Sequence, residues 1–203
     1  MGPLDPQNAP VLEGASLRLG RKRLPLRSGA MHYWRNPRDQ WRAALTQLKG
    51  LGLPMVETYV PWGVHERPEG GFDFGETDPR KDLSAFLTLA AELDLYVFLR
   101  PGPHINAELT YFGLPERVVR DAEIQARTPR GNPVTLYFPP RMFPVPSHAS
   151  EAYFEAICDW YGQLAPVVAP HVCPNGPVVL FQFDNAAAPF FLTGPLLPDY
   201  NPH

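Results

Sequence analysis

GPVVLFQFDNAAAP, Gly176–Pro189, carries the pattern on which the fold class turns. Val178, Val179, Leu180 and Phe181 make a short apolar run, rich in β-branched and aromatic residues and opened by Gly-Pro. That pattern predicts a buried strand of a parallel sheet. Gln182, Asp184 and Asn185 follow at once, and then three alanines begin at Ala186. Polar residues at the C-terminal ends of buried parallel strands are where α/β barrels keep their chemistry. The strand therefore delivers Asn185 to a candidate site, with a methyl group next in line.

Upstream, the same grammar repeats. Gly29 to Trp34 reads as a first strand, followed by a helix with Asn36 as cap and Pro37 at its first position. Trp41, Leu45, Leu48 and Leu51 fall at helical spacing, and Gly52 stops the helix. Met55 to Val60 is a second strand, and Asp78-Pro79 starts a second helix through Leu83, Phe86, Leu87, Ala90 and Leu93. Leu95 to Leu99 is a third strand, ending in Arg100-Pro101-Gly102-Pro103. A long segment, His104 to His148, reads as loop with at most a helical turn near Pro115 to Asp121. Ser150 to Val168 is a third helix with Tyr153, Ile157, Tyr161 and Leu164 on one side, kinked or ended by Pro166. Before all of this lie a loose arm at residues 1–10 and, from Val11 to Arg27, a hairpin with the basic turn Gly20-Arg21-Lys22-Arg23, outside the main sheet.

Alternation of strand and helix implies a parallel sheet. Two architectures fit: an open doubly wound sheet, or part of a (β/α)8 barrel. No GxGxxG occurs, which counts against the nucleotide-binding doubly wound folds. His32, Arg35, Tyr59, His65, Glu66, Arg100, Glu108 and Asn185 gather after strand ends, which favours a barrel rim. The expected fold class is α/β, a partial (β/α)8 TIM barrel of about strands 1–4 with an N-terminal β-hairpin. The expected domains are an arm and hairpin at 1–27 and a barrel domain at 28–203.

Composition removes other classes. Of the 203 residues 44% are apolar and 19% charged, at a net charge of −3, which suits a globular domain and not a disordered one. The one basic triplet, Arg21 to Arg23, is too small for a nucleic-acid face. No apolar run approaches the roughly 20 residues of a bilayer span, and no charged leader is visible, so a cytoplasmic protein is expected. Six histidines without ligand spacing predict no metal, and no cofactor is expected. Cys158 and Cys173 read as buried thiols. Trp34, Trp41 and Trp62 read as packing residues, with stacking on a sugar as the alternative for Trp62. Glu57 and Glu66 read as structural partners of Arg35 or Arg100, and Tyr59 as either a core tyrosine or a ligand contact.

The strand ends resemble glycoside hydrolase family 35, the β-galactosidases. The stretches that carry the resemblance are SGAMHYWR (28–35), LKGLGLPMVETYVPWGVHE (48–66), FDF (72–74), LYVFLRPGPHINAEL (95–109), GLP (113–115) and NGPVVLFQFDN (175–185). They follow the family's order and roughly its spacing from Ser28 to Asn185. The resemblance implies a (β/α)8 barrel, two catalytic carboxylates, retention of configuration and a β-galactoside substrate. It implies that Asn185 bonds the sugar 2-hydroxyl and that Tyr59, Ala107 and Glu108 contact galactose hydroxyls. For Glu108 the alternative is a rim carboxylate paired with Arg100. The acid/base glutamate of the family falls on Ala186, and its nucleophile belongs to a seventh strand beyond His203. His104 stands where the family usually has Tyr, and Leu109 where it usually has Trp. Asp184 is already accounted for by an acidic residue that the family commonly carries there. The resemblance thus implies a truncated, inactive hydrolase fragment, or a non-catalytic carbohydrate-binding or interaction protein. Four strands of a barrel leave two uncovered edges, which invites self-association.

Overall fold

The computed structural model describes residues 9–138, 141–185 and 199–202. The N-terminal arm, Ala186 and most of the proline-rich tail lie outside the described residues. Three antiparallel strands open the fold: β1 (Val11–Glu13), β2 (Ser16–Leu19) and β3 (Lys22–Pro25). Leu19 pairs with Lys22 across a two-residue turn, and Gly20 takes the left-handed φ of 57° that this turn needs. The expected hairpin is therefore β2–β3, enlarged by β1, with only Arg21 of the basic triplet in the turn.

Four strands form the main sheet. β4 (Ser28–Ala30) leads to α1 (Trp41–Gly50), β5 (Met55–Tyr59), the single turn α2 (Trp62–His65) and α3 (Leu83–Glu92). Then come β6 (Tyr96–Gly102), α4 (Glu116–Arg120), a hairpin of β7 (Thr135–Phe138) and β8 (Arg141–Pro144), α5 (Glu151–Val168) and β9 (Val178–Phe183). The sheet order is β4-β5-β6-β9, with β4–β5 and β5–β6 parallel. The fold is α/β, as its alternating pattern predicts. No helix among the described residues is long and apolar enough to cross a membrane.

Several elements depart from the sequence reading, each for a packing reason. β4 ends at Ala30, although Met31 N still donates to Glu57 O at 3.0 Å. Tyr33–Arg35 then coils into a 3-10 turn that buries Tyr33 against Phe86 and Trp41, with ring centroids 5.3 and 6.1 Å apart. Asn36 does not cap α1; its amide donates to His32 O at 2.8 Å. Asp78 caps a 3-10 turn, and Asp82 caps α3 by accepting from Ala85 N at 2.9 Å. The long segment also contains the β7–β8 hairpin, whose strands carry no clean alternation. Ser150 caps α5 by accepting from Tyr153 N, and the helix runs through Pro166. Its buried stripe is Tyr153, Ala156, Trp160 and Leu164 rather than the Tyr153-Ile157-Tyr161 line. Cys158 lies two residues, about 200° of helical turn, from Trp160 and so is exposed, whereas Cys173 is buried.

Contacts divide the chain into two compact units. The first comprises Met1–Val60, Asp73–Arg100 and Ala165–Gln182, and the second Pro61–Phe72, Pro101–Leu164 and Phe183–His203. In the first, Leu17 and Leu24 face each other across the β2–β3 hairpin and pack on Met55, Cys173 and Val179. The N-terminal sheet thus buries its one apolar face against the strands of the main sheet. In the second, Trp62 is fully buried and stacks on Trp160 with centroids 6.1 Å apart. Trp160 Nε1 donates to Pro101 O at 3.2 Å.

Candidate functional site

In the first unit the polar groups stand where β4, β5 and β6 end. Glu57 and Tyr59 are two apart on β5 and therefore share a face. Arg100 ends the same register, opposite Tyr59. Its guanidinium sits 4.3 Å from the Tyr59 ring centroid, and its Nη1 is 3.6 Å from Glu57 Oε1. Glu57 also accepts from Ser28 Oγ at 3.3 Å. His32 lies against the Tyr59 ring, centroids 5.2 Å apart, and stacks on Trp34 at 5.6 Å. Trp34 Nε1 donates to Tyr59 O at 3.1 Å, and Arg35 covers the Trp34 ring at 4.5 Å. A continuous row of rings and cations thus fixes the orientation of Tyr59. A cation over an aromatic face contributes about 0.5–1 kcal/mol where partly exposed. Glu57 finds Arg100, one of its two expected partners.

In the second unit Glu66 pairs instead with Arg117, Nε to Oε1 at 2.5 Å, and accepts from Trp62 Nε1 at 2.6 Å. Full burial of that indole removes sugar stacking as a role for Trp62. The other candidates stand on two bends. Asn106, Ala107 and Glu108 are consecutive left-handed residues, with φ of 60°, 50° and 53°, and Tyr111 and Phe112 follow at 53° and 54°. Left-handed backbone costs a residue with a Cβ about 1–2 kcal/mol. Strain of this density persists only where surroundings over-determine it, and it clusters at ligand-binding positions. The support is visible: Ile105 N donates to Phe112 O at 2.9 Å, and Leu109 N to Asn106 O at 3.0 Å. Phe143, from the β7–β8 hairpin, meets Phe112 and Tyr111 edge-on at 5.3 and 5.4 Å, and Phe112 meets His104 at 5.1 Å.

The second bend is the end of β9. Asp184 is left-handed at φ 60°, and its N–H donates to Gly102 O at 2.6 Å. The same carbonyl accepts Tyr161 Oη at 2.6 Å. Asn185 N donates both to His104 O at 3.0 Å and to Asp184 Oδ1 at 2.8 Å. Asp184 Oδ1 is 3.7 Å from His104 Nδ1. Burial pushes the His104 imidazole below its ordinary 6.5, partly offset by the Asp184 carboxylate and reinforced by His148. Burial likewise pushes the Tyr161 phenol well up, with Asp184 adding to it. Asp184 is thus engaged with His104 and the Asn185 amide, the structural occupation expected of it. Among the described residues no group of three His, Cys, Asp or Glu side chains could hold a metal ion.

The structure accordingly places Tyr59 in the first unit's row of rings, and Ala107, Glu108 and Asn185 on the second unit's two bends. Ala186 lies outside the described residues. Sequence reasoning missed Phe143 and Trp160 as supports. The seven-residue spacing from Tyr153 was the available helical signal for Trp160.

A sequence profile of glycosyl hydrolases family 35 matches residues 16–134. The chain is 36% identical over 194 residues to an exo-β-D-glucosaminidase of Pyrococcus horikoshii, covering 93% of this chain and 24% of that protein. It is 35% identical over 163 residues to human β-galactosidase-1-like protein 3, covering 80% of this chain and 22% of that one. Its fold is similar to that of a polyextremophilic β-galactosidase from the Antarctic haloarchaeon Halorubrum lacusprofundi, with a TM-score of 0.58 at 20% identity over 81% of this chain and 22% of that one. The chain therefore spans about a quarter of the length of the curated relatives it matches, 24% and 22%.

Proposed function

Because this chain belongs to glycosyl hydrolases family 35, we propose that it carries the sugar-binding strand ends of a β-galactosidase-like retaining hydrolase and holds a terminal β-galactoside without cleaving it. In this reading β4, β5, β6 and β9 are the first strands of a (β/α)8 barrel, with 1–27 as arm and hairpin and 28–203 as the hydrolase domain. Side-by-side order in chain sequence supports that reading.

The observation that carries the proposal is the pair of bends holding Ala107, Glu108 and Asn185 in left-handed or doubly bonded backbone. Asn185 meets the sugar 2-hydroxyl, a contact that strengthens toward the oxocarbenium-like transition state. Glu108, in the same unit as Asn185, bonds another ring hydroxyl, and Ala107 contributes through its backbone; Tyr59, in the first unit, is proposed as a galactose contact on the resemblance alone. Retaining cleavage needs a carboxylic acid to protonate the leaving oxygen and a second carboxylate about 5–5.5 Å from it. Ala186 stands at the acid/base position and has no proton to give. Loss of a general acid costs about 10²–10⁴ in rate. The result is a binding site in a hydrolase scaffold.

The name of the Pyrococcus relative raises a 2-amino sugar as the second reading. A sugar ammonium taken out of water needs a charged partner; the Asn185 amide is neutral whereas Asp184 and Glu108 are carboxylates, so the binding test below separates the two sugars. The edge strands β4 and β9 have one sheet neighbour each among the described residues, and Phe181 and Phe183 of β9 are 38% and 68% exposed. These edges support self-association of the chain.

Ligand-observed NMR tests the proposal with methyl β-D-galactoside and methyl β-D-glucosaminide. Binding of the galactoside without cleavage, abolished in Asn185→Ala, is the expected result. Preference for the amino sugar, no binding of either, or release of methanol at an ordinary hydrolase rate would defeat it.

A further inference from the structure

Two neighbouring side chains of α5 grip two neighbouring carbonyls at the end of β6. Trp160 Nε1 donates to Pro101 O at 3.2 Å, and Tyr161 Oη donates to Gly102 O at 2.6 Å. The same stretch of backbone receives the end of β9. Asp184 N donates to Gly102 O at 2.6 Å, and Asn185 N donates to His104 O at 3.0 Å. Gly102 is therefore a junction, its oxygen shared between the α5 phenol and the bend that carries Asn185. All of these residues belong to the second unit.

The junction falls where the backbone is softest. Gly102 has a φ of 83°, and a Cβ there would stand 3.0 Å from Ile105 Cγ2 and 3.2 Å from His104 N. Glycine takes either sign of φ about equally well, so local sterics leave the direction of this carbonyl open. Asp184 cannot set it alone, because it is itself left-handed at φ 60° and depends on the bond it makes. A donor from a helix can. The Tyr161 ring also meets the Phe183 ring edge-on, centroids 5.6 Å apart, so the phenol is fixed from the β9 side as well.

We propose that Tyr161 is a positioning residue for Asn185. Its hydroxyl aims the Gly102 carbonyl, that carbonyl holds Asp184, and Asp184 presents Asn185 to the 2-hydroxyl of the sugar. Tyr161 itself touches no substrate. The last link rests on the proposed role of Asn185; the alignment of the bend does not.

Tyr161→Phe in the full chain tests this, because it removes one oxygen and keeps the ring against Phe183. Amide hydrogen exchange should accelerate about two- to tenfold at Asp184 and Asn185, the equivalent of one net hydrogen bond, and stay unchanged at Val178 to Leu180 of the same strand. Unchanged exchange at Asp184 and Asn185, or equal acceleration along all of β9, overturns the proposal. In ligand-observed NMR the preference for methyl β-D-galactoside over its 2-deoxy analogue should shrink by a similar factor, which a loss of stability alone would not produce. An undiminished preference overturns the proposal. Ala156→Gly loosens α5 but keeps the hydroxyl, so it should leave that preference intact; an equal loss there would assign the effect to the helix and also overturn the proposal. Failure of the unaltered chain to bind either sugar defeats the proposed function alone, since exchange at Asp184 and Asn185 still decides whether Tyr161 aims the bend.

Discussion

Tyr59 and Ala107 are both candidate sugar contacts, yet their backbones are held in opposite ways. Tyr59 ends an ordinary β-strand, and its ring is fixed from the side by Arg100 and His32. Ala107 stands in the middle of three left-handed residues. Of the seven left-handed non-glycine residues described, only Asp94 belongs to the first unit; Asn106, Ala107, Glu108, Tyr111, Phe112 and Asp184 belong to the second. The first unit therefore sets its polar groups by strand alternation, which the local chain favours. The second sets them against local preference and depends on packing to hold them. The candidate contacts are thus held robustly in one region and conditionally in the other.

Four measurements test that contrast. Phe143→Ala should have the largest effect, because it removes the buried ring against which Tyr111 and Phe112 pack. Urea denaturation should show a loss of about 3–5 kcal/mol, with sugar binding gone. A loss below about 1 kcal/mol would mean the bends hold themselves.

The next effect is pH dependence. Burial lowers the folded His104 pKa below 6.5, so the folded state takes up its proton later than the unfolded chain does. Its contribution is fully present above pH 6.5 and is lost as pH falls below that value. The urea midpoint should drop between pH 7 and pH 5, and His104→Phe should flatten that drop. An unchanged slope in the variant would remove His104 as the cause.

Glycine substitution then gives opposite signs in the two regions. Ala107→Gly should stabilise by about 1 kcal/mol by relieving left-handed strain. Ala30→Gly, on β4, should destabilise by about 0.5–1 kcal/mol through unfolded-state entropy. Equal signs in thermal melts would dissolve the contrast. Smallest is Arg100→Met, which removes the cation over Tyr59 and the partly exposed pair with Glu57. It should cost about 0.5–1 kcal/mol, read from the same melts.

Much of this was legible in the chain. Val178 to Phe183 is a strand that starts with its apolar run and continues two residues past it, and Met55 to Tyr59 differs from expectation by one residue. Asn185 at the end of the first of these, and Tyr59 at the end of the second, follow from position alone. The β7–β8 hairpin was not legible, because its residues pack on Tyr111 and Phe112 far away in sequence and show no period of their own. Nor was the face of α5: Ile157 and Tyr161 look as apolar as Ala156 and Trp160, and the indole's bond to Pro101 O and its stacking on Trp62 turn the latter inward.

The order of strands and helices, the candidate contacts at their ends, and the alanine that follows Asn185 could all be read along the chain. Those depend on hydrophobic period and residue identity, which are properties of neighbours along the chain. Packing in three dimensions is what turns Asn106 to Glu108 left-handed, sets Asp184 opposite His104 and seals Trp62 beneath Trp160. Each of these is set by long-range packing that outweighs a local preference of about 1–2 kcal/mol per residue, and no window of sequence contains both sides of that balance.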